Sequence, residues 1–314
     1  MKGFIVTALL CVAAFGGYGC ATTTCNETGA KAAPVASKET ATATKEDSAV
    51  KIDVASADKT DASGGKKDSE PAKEEKPKTA EYYFTEGLMA INHGNLNKAE
   101  KNLLEALRMK PESVNARLYL ARVYERKRQF MSAIQEYTVA AGYAPKDARA
   151  VVGMMNNYLD MGAPKEAVIS GEKAIERGVN EGAVRDTLGW SYYLLGELDK
   201  AEDNFLKAAK LTTQDTAPLN NLGLVYFEKG RYEDAMARFE EARKLNPKSQ
   251  LAPYFIALAR NKMGQEDKAT EALKDALAQD KDLQSKTGSY KKEFFPRADT
   301  GDLTPLFEKI KAEK

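Results

Sequence analysis

The chain has 314 residues, enough for one large domain or two smaller ones, and 30% of them are charged. Its 47 basic and 46 acidic side chains leave a formal net charge of +1, so we expect no long-range attraction toward nucleic acid. All three cysteines lie within the first 25 residues and the chain has one histidine, His93, so the sequence predicts neither a disulfide framework nor a metal site in the body of the protein.

Residues 1–20 have the pattern of a bacterial export signal. An early lysine precedes an apolar run at residues 4–14, which is shorter than the about 20 residues that a membrane-spanning helix needs. Residues 17–20 (GYGC) then resemble a bacterial lipoprotein box, although glycine stands first where that family usually has leucine. The resemblance implies lipidation of Cys20. Because Ala21 follows, it also implies sorting to the outer membrane, with the protein facing the periplasm.

Two alternatives stay open for this region. Cleavage after Ala21, with small residues before the cut, would give a soluble periplasmic protein instead. If Cys20 is lipidated, Cys25 is left as a thiol in an oxidising compartment, where it is either incidental or forms an interchain disulfide.

Residues 21–79 are predicted to form a disordered linker. They contain no aromatic residue, and their lysines and acidic residues are well mixed, so the segment has too little apolar surface to offset the entropy of ordering. We interpret it as a spacer; the alternative is that its lysines contact cell-wall polymer or anionic lipid headgroups.

An internal repeat of 34 residues begins at residue 80. Alanine recurs at positions 20 and 27 of each copy, glycine is common at positions 8 and 15, large residues at 11 and 24, and proline at 32. The six copies are 80–113, 114–147, 148–181, 182–215, 216–249 and 250–283.

This pattern resembles the tetratricopeptide repeat family. The resemblance implies an all-α fold, a right-handed α-solenoid of six helix-turn-helix repeats. The small residues let the two helices of a repeat approach closely, and the glycine at position 15 closes the turn between them. Residues 284–314 leave the pattern and are predicted to be a C-terminal cap. There Thr304 and Pro305 begin a short helix, and residues 294–296 pack on the exposed face of repeat six.

In this family the first helix of each repeat lines a concave groove, and positions 2, 5, 6, 9, 12 and 13 commonly face it. Aromatic and apolar residues with asparagines among them suit an extended or helical peptide. The alternative is that these rings pack between neighbouring repeats; Trp190 is the best functional candidate. The predicted partner-binding residues are Tyr119, Arg122, Asn156, Asp186, Trp190, Tyr193, Asn220, Asn221, Phe227 and Tyr254.

The residues present argue against two other modes of action. Chaperone-binding relatives hold a C-terminal carboxylate with lysine at position 5 and asparagine at position 9, and no register of this sequence supplies that set. The sequence also has no phosphate-binding glycine loop, nucleophile elbow or metal-ligand spacing, so we predict no catalysis, no cofactor and no small-molecule substrate. His93, beside a turn glycine, is predicted to be exposed.

The leading functional prediction is therefore a lipid-anchored assembly scaffold with a protein or peptide partner. Six repeats on an exported lipoprotein resemble the type IV pilus biogenesis lipoproteins that pilot secretin assembly in the outer membrane. The alternatives are an adaptor that recruits periplasmic proteases or peptidoglycan enzymes, and a component of exopolysaccharide export.

Overall fold

A computed structural model describes residues 78–249, 251–296 and 299–313 of the protein. These residues form fourteen α-helices and contain no β-strand. In chain order the helices are α1 (Ala80–Asn92), α2 (Leu96–Met109), α3 (Val114–Arg126), α4 (Phe130–Tyr143), α5 (Ala148–Asp160), α6 (Pro164–Glu176), α7 (Gly182–Leu195), α8 (Leu198–Leu211), α9 (Ala217–Glu228), α10 (Tyr232–Leu245), α11 (Leu251–Lys262), α12 (Glu266–Gln279), α13 (Leu283–Phe294) and α14 (Thr304–Ala312).

The first twelve helices form six consecutive pairs, in which each odd-numbered helix A packs on the even-numbered helix B that follows it. Several helices A begin after a residue whose side chain accepts a hydrogen bond from a first-turn N–H group, as Thr79, Ser113 and Asp147 do. Every helix A begins at the first or second residue of a predicted repeat, in keeping with the 34-residue spacing.

Left-handed glycines close the turn between the two helices in five of the six pairs. Their φ angles lie between 71° and 80°, which glycine adopts without a steric penalty. In the second pair Arg128 takes this place with φ 59°, and it is the one non-glycine residue with positive φ in the described ranges. The glycines are Gly94, Gly162, Gly196, Gly230 and Gly264.

Close packing within a pair depends on one small residue facing one large residue. Gly189 on α7 lies under the ring of Phe205 on α8, and an added Cβ would stand 2.7 Å from Phe205 Cδ1. In the third pair the sizes are reversed: Met155 is on helix A, and a Cβ on Gly171 of helix B would stand 2.7 Å from Met155 Cε. The third repeat therefore departs from the sequence pattern at both positions while filling the same space.

Helices A of neighbouring pairs contact one another from α1 to α9, and they form one side of the solenoid. We call the surface formed by α1, α3, α5, α7, α9 and α11 the A-helix wall. Ion pairs between neighbouring repeats recur at equivalent positions: Lys127 Nζ lies 2.5 Å from Glu100 Oε2, and Lys229 pairs with Glu202 in the same way. Such partly exposed pairs contribute at most about 1 kcal/mol each, so the buried helix seams dominate stability.

The C-terminal region has two helices with different roles. Helix α14 begins at Thr304, as expected, and packs on α12 with Leu306, Phe307 and Ile310 buried. Helix α13 was not expected, and with Phe295 it forms a segment of residues 283–295 that we call the strap. As expected, Phe294 and Phe295 contact repeat six, where both meet the Phe255 ring of α11. Phe295 also reaches Phe227 on α9 of repeat five, which the sequence did not predict.

The predicted export signal, Cys20 and the linker at residues 21–79 lie outside the described residues, apart from residues 78 and 79. No helix in the described ranges has the length and apolar character needed to cross a membrane.

Candidate interaction surface

The A-helix wall of the first three repeats presents an aromatic ring beside an exposed cation. The Tyr119 ring meets the Phe84 ring edge-on with centroids 5.7 Å apart, and the guanidinium carbon of Arg122 lies 5.3 Å from the Tyr119 centroid. Arg122 is exposed, while Tyr119 and Asn156 are half-buried. A rigid ring with an adjacent arginine is the kind of side-chain pair that anchors protein interfaces.

Behind this surface, a polar network joins the second and third repeats. Tyr137 Oη and Asn157 Nδ2 both donate hydrogen bonds to Glu125 Oε1, at 2.9 Å and 2.6 Å. Burial raises the pKa of Glu125, and these two hydrogen bonds oppose the rise. Neither Tyr137 nor Asn157 was among the predicted site residues. A tyrosine at repeat position 24 is typical of the buried core, and Asn157 does not lie at one of the groove positions.

A second polar contact joins repeats four and five. Asn221 Nδ2 donates a hydrogen bond to Asp186 Oδ1 at 3.0 Å, and both residues are buried. Burial raises the pKa of Asp186 to about 7; the hydrogen bond from Asn221 lowers it in part, and the charge of Asp215 adds to the rise. The expectation that Asp186 and Asn221 face a partner is therefore wrong, since they face each other between α7 and α9.

The strap covers the A-helix wall of repeats four to six. The Phe295 ring lies 5.0 Å from the Phe227 ring and 5.4 Å from the Phe255 ring, measured between centroids. The Phe294 ring lies 5.3 Å from Phe255. The rings of Tyr254 and Tyr290 are 5.7 Å apart. One continuous aromatic cluster thus joins helices α9, α11 and α13.

The strap also buries groove residues that the sequence predicts to meet a partner. Tyr193, Phe227 and Tyr254 are at most 2% exposed. For these three, the prediction of a free partner-binding surface is wrong, because sequence phasing shows which residues share a wall and not which other segment folds onto it.

Trp190 and Asn220 are less enclosed. The Trp190 ring stacks on the Tyr193 ring with centroids 5.1 Å apart, and both Trp190 and Asn220 are half-buried. Asn220 Oδ1 is buried without a hydrogen-bond partner among the described residues. Trp190 therefore lies beside the aromatic cluster.

Histidine and acidic side chains are the groups that could bind a metal ion in this part of the chain. His93 is exposed, as predicted, and its Nδ1 lies 2.7 Å from the Met89 carbonyl oxygen. No cluster of three or more His, Cys, Asp or Glu side chains in these ranges is arranged to hold a metal ion. What the wall offers chemically is a surface for another polypeptide.

Sequence comparison identifies the family. Three sequence models, each described as tetratricopeptide repeat, match residues 84–148, 184–215 and 217–249. The chain is a tetratricopeptide repeat protein. The matched ranges cover most of the predicted repeats one, two, four and five, and the count of six remains a prediction from the 34-residue spacing. This fold is typical of proteins that act as interaction scaffolds.

Solved structures share the fold. The pilF protein of Pseudomonas aeruginosa matches with a TM-score of 0.54 and 18% identity, over 75% of this chain and 97% of that chain. A tetratricopeptide repeat protein from Parabacteroides merdae matches with a TM-score of 0.55 and 16% identity, over 74% and 92%. At these identities the likeness establishes architecture alone.

Among curated proteins, superkiller protein 3 of Schizosaccharomyces pombe is 23% identical over 214 residues. The match covers 65% of this chain and 15% of that protein. The chain thus spans a small part of the relative's length, and what they have in common is the repeat region.

Proposed function

We propose that this tetratricopeptide repeat protein is a non-enzymatic interaction scaffold of the bacterial envelope, held at the outer membrane by lipid on Cys20. In this proposal it assists assembly of a membrane complex, as the lipoproteins that pilot secretins do. The observation that carries the scaffold role is the A-helix wall, where Tyr119 and the exposed Arg122 stand together on a repeat surface.

The anchor is supported by the export pattern of residues 1–20 and the cysteine that follows its glycine. Two or three acyl chains would hold the protein firmly, since each buried methylene contributes about 0.8 kcal/mol. A linker of about 55 residues would give the repeats a typical reach of roughly 40 Å from the membrane, from flexible-chain scaling.

Site-specific photocrosslinking in cells tests the binding surface. A photoreactive residue replaces Arg122 on the open wall, and a matched control replaces Ile169, which is 64% exposed on helix B of repeat three. We expect a secretin subunit to crosslink from position 122 and not from position 169. Capture from position 169 alone would show that helices B carry the interface.

The anchor is tested by palmitate labelling of the wild type, Cys20→Ala and Cys25→Ala. We expect label in the wild type and in Cys25→Ala, and none in Cys20→Ala. An unlabelled wild type would favour the soluble periplasmic form, with cleavage after Ala21.

The pilot role is tested by deletion of the gene and complementation. We expect detergent-resistant secretin multimers in the outer membrane to disappear on deletion and to return with the wild type but not with Cys20→Ala. Normal multimers after deletion would reject the pilot role. Crosslinking of a protease or a peptidoglycan enzyme from position 122 would then identify the adaptor alternative.

A further inference from the structure

The strap touches the A-helix wall in the way that a bound peptide would. Helix α13 buries one residue, Leu283 at its first position, and the middle of the helix is polar and contains Gly288. Contact with the wall is concentrated at its C-terminal end, where Tyr290, Phe294 and Phe295 meet the rings of Tyr254, Phe255 and Phe227. A short helix that docks through a few aromatic anchors is a common mode of peptide recognition.

The wall beneath the strap differs from the wall of the first repeats. Repeat position 12 is Tyr193 and Phe227 in repeats four and five, whereas it is Ile91, Glu125 and Leu159 in repeats one to three. At position 12, aromatic residues therefore occur in repeats four and five, beneath the strap, and not in repeats one to three.

Hydrogen bonding between strap and wall is incomplete. Tyr193 Oη donates to the Phe294 backbone carbonyl oxygen at 3.1 Å. The hydroxyl of Tyr254, a buried residue on the same wall, has no partner in the described part of the chain. Buried polar groups are nearly always paired, so the wall retains a hydrogen-bonding site that the strap leaves unused.

The strap is tied down at both ends by contacts separate from the aromatic cluster. At its start, Lys286 Nζ lies 2.7 Å from Asp280 Oδ2. Beyond its end, Lys262 Nζ lies 2.8 Å from Asp299 Oδ2, and α14 packs on α12. Within the strap, Lys291 Nζ also donates to the Gly301 carbonyl oxygen at 2.6 Å. None of these contacts involves an aromatic ring, so the rings alone and the Tyr193 hydrogen bond hold the aromatic end against the wall.

We infer that the strap is an internal ligand of repeats four to six, which occupies a binding site for a helical segment of another protein. The partner segment carries the chemistry that the strap imitates, which is an amphipathic helix that ends in two adjacent aromatic residues. A third aromatic residue stands four positions before the first residue of that pair. This inference rests on the scaffold role proposed above and adds a second, covered site to the open wall around Arg122. The apparent affinity for the partner is the intrinsic affinity multiplied by the fraction of molecules in which the strap is open.

Native-state hydrogen exchange of the full mature chain tests whether the strap opens locally. We expect amides of residues 284–295 to exchange at least tenfold faster than the core amides of α11 and α12, under conditions where the repeats stay folded. Equal protection of strap and core would overturn the inference, because the strap would then be part of the cooperative core.

Peptide binding tests whether the covered wall is a site. The probe is a fluorescent synthetic peptide of residues 282–296, added to the full mature chain and followed by polarisation. We expect Phe294→Ala/Phe295→Ala, which frees the wall, to bind the peptide at least tenfold more tightly than the wild type. Adding Phe227→Ala removes that gain, and Lys292→Ala, an exposed strap change, behaves as the wild type.

The outcomes separate the possibilities. The inference would be overturned if Phe294→Ala/Phe295→Ala bound the peptide no more tightly than the wild type. It would also be overturned if adding Phe227→Ala left the tighter binding unchanged. A wild-type dimer in light scattering that Phe295→Ala dissolves would make a second copy of the chain the occupant in place of a different protein. Crosslinking at position 122 tests the scaffold role and does not depend on these results, so failure of the strap inference and failure of the scaffold role can be told apart.

Discussion

The Tyr193 hydroxyl donates a hydrogen bond to the backbone carbonyl oxygen of Phe294, a residue 101 positions later in the chain. Tyr193 lies on helix A of repeat four, and Phe294 ends the helix of the strap. The same tyrosine stacks against Trp190, so one side chain connects the strap to the most prominent ring of the predicted groove. The contact explains why a surface that is aromatic in sequence is largely buried in the fold.

Tyr193→Phe is expected to loosen the strap without unfolding the repeats. Loss of a buried hydrogen bond costs about 0.5–1.5 kcal/mol. We therefore expect strap amides to exchange roughly two- to tenfold faster, with a nearly unchanged unfolding midpoint of the whole chain. Tyr82→Phe, at an exposed tyrosine, is the control and should leave strap exchange unchanged. No change in Tyr193→Phe would mean that ring packing alone holds the strap.

Asp186 is expected to make stability depend on pH. Its folded pKa of about 7 lies above the unfolded value, so the folded protein holds an extra proton between these two pKa values. The carboxyl group's contribution is therefore fully favourable below about pH 4, falls as the pH rises, and levels off above about pH 7, with a total change of at most about 4 kcal/mol.

Denaturant unfolding of the wild type and Asp186→Asn at pH 5 and pH 8 measures this contribution. We expect the substitution to be relatively more stabilising at pH 8, since an amide carries no charge to bury and still accepts from Asn221. Asp203→Asn, at an exposed carboxyl group, is the control. Parallel pH profiles for the wild type and Asp186→Asn would show that Asp186 is ionised at both pH values.

Arg128→Gly is expected to stabilise the protein. Arg128 has φ 59°, in the left-handed region that costs a non-glycine residue about 1–2 kcal/mol. Glycine removes that cost but loses the stacking of the guanidinium on Phe130, 5.3 Å away, so the net gain should be about 0.5–1 kcal/mol. The reverse change, Gly196→Ala at φ 80°, should destabilise by a similar amount, and thermal unfolding measures both. A destabilised Arg128→Gly would show that the stacking dominates.

Gly189→Ala is expected to destabilise the fourth repeat by about 1–3 kcal/mol, because the new Cβ would stand 2.7 Å from a ring atom of Phe205. Gly142→Ala is the matched control: it is also helical but has nothing within 4 Å of the added atom, so it should be neutral or stabilising by up to about 1 kcal/mol. Equal effects in denaturant unfolding would mean that the helices separate at no cost.

The repeat architecture was largely predictable from the sequence because its cause is local. Small residues at fixed spacing, turn glycines and capping side chains act over 34 residues or fewer, and each helix pair repeats the same solution. The exception in the third repeat has the same local cause, because the large residue (Met155) is on helix A and the small one (Gly171) is on helix B of a single pair. Arg128 shows that the turn fixes the backbone conformation even where the residue is unsuited to it.

The availability of the binding surface was decided by tertiary structure. The 34-residue repeat places three aromatic residues at groove positions: Tyr193, Phe227 and Tyr254. The strap nevertheless buries them, although it lies as much as about 100 residues away in the chain. Phase within a repeat fixes which wall a side chain joins, but not which distant segment covers that wall. Asp186 and Asn221 show the same limit, because a polar pair at groove positions was satisfied between two neighbouring repeats and not by a partner. The sequence by itself therefore determined the repeats and their common wall, while long-range packing decided that the wall around Arg122 is open and the wall under Phe295 is closed.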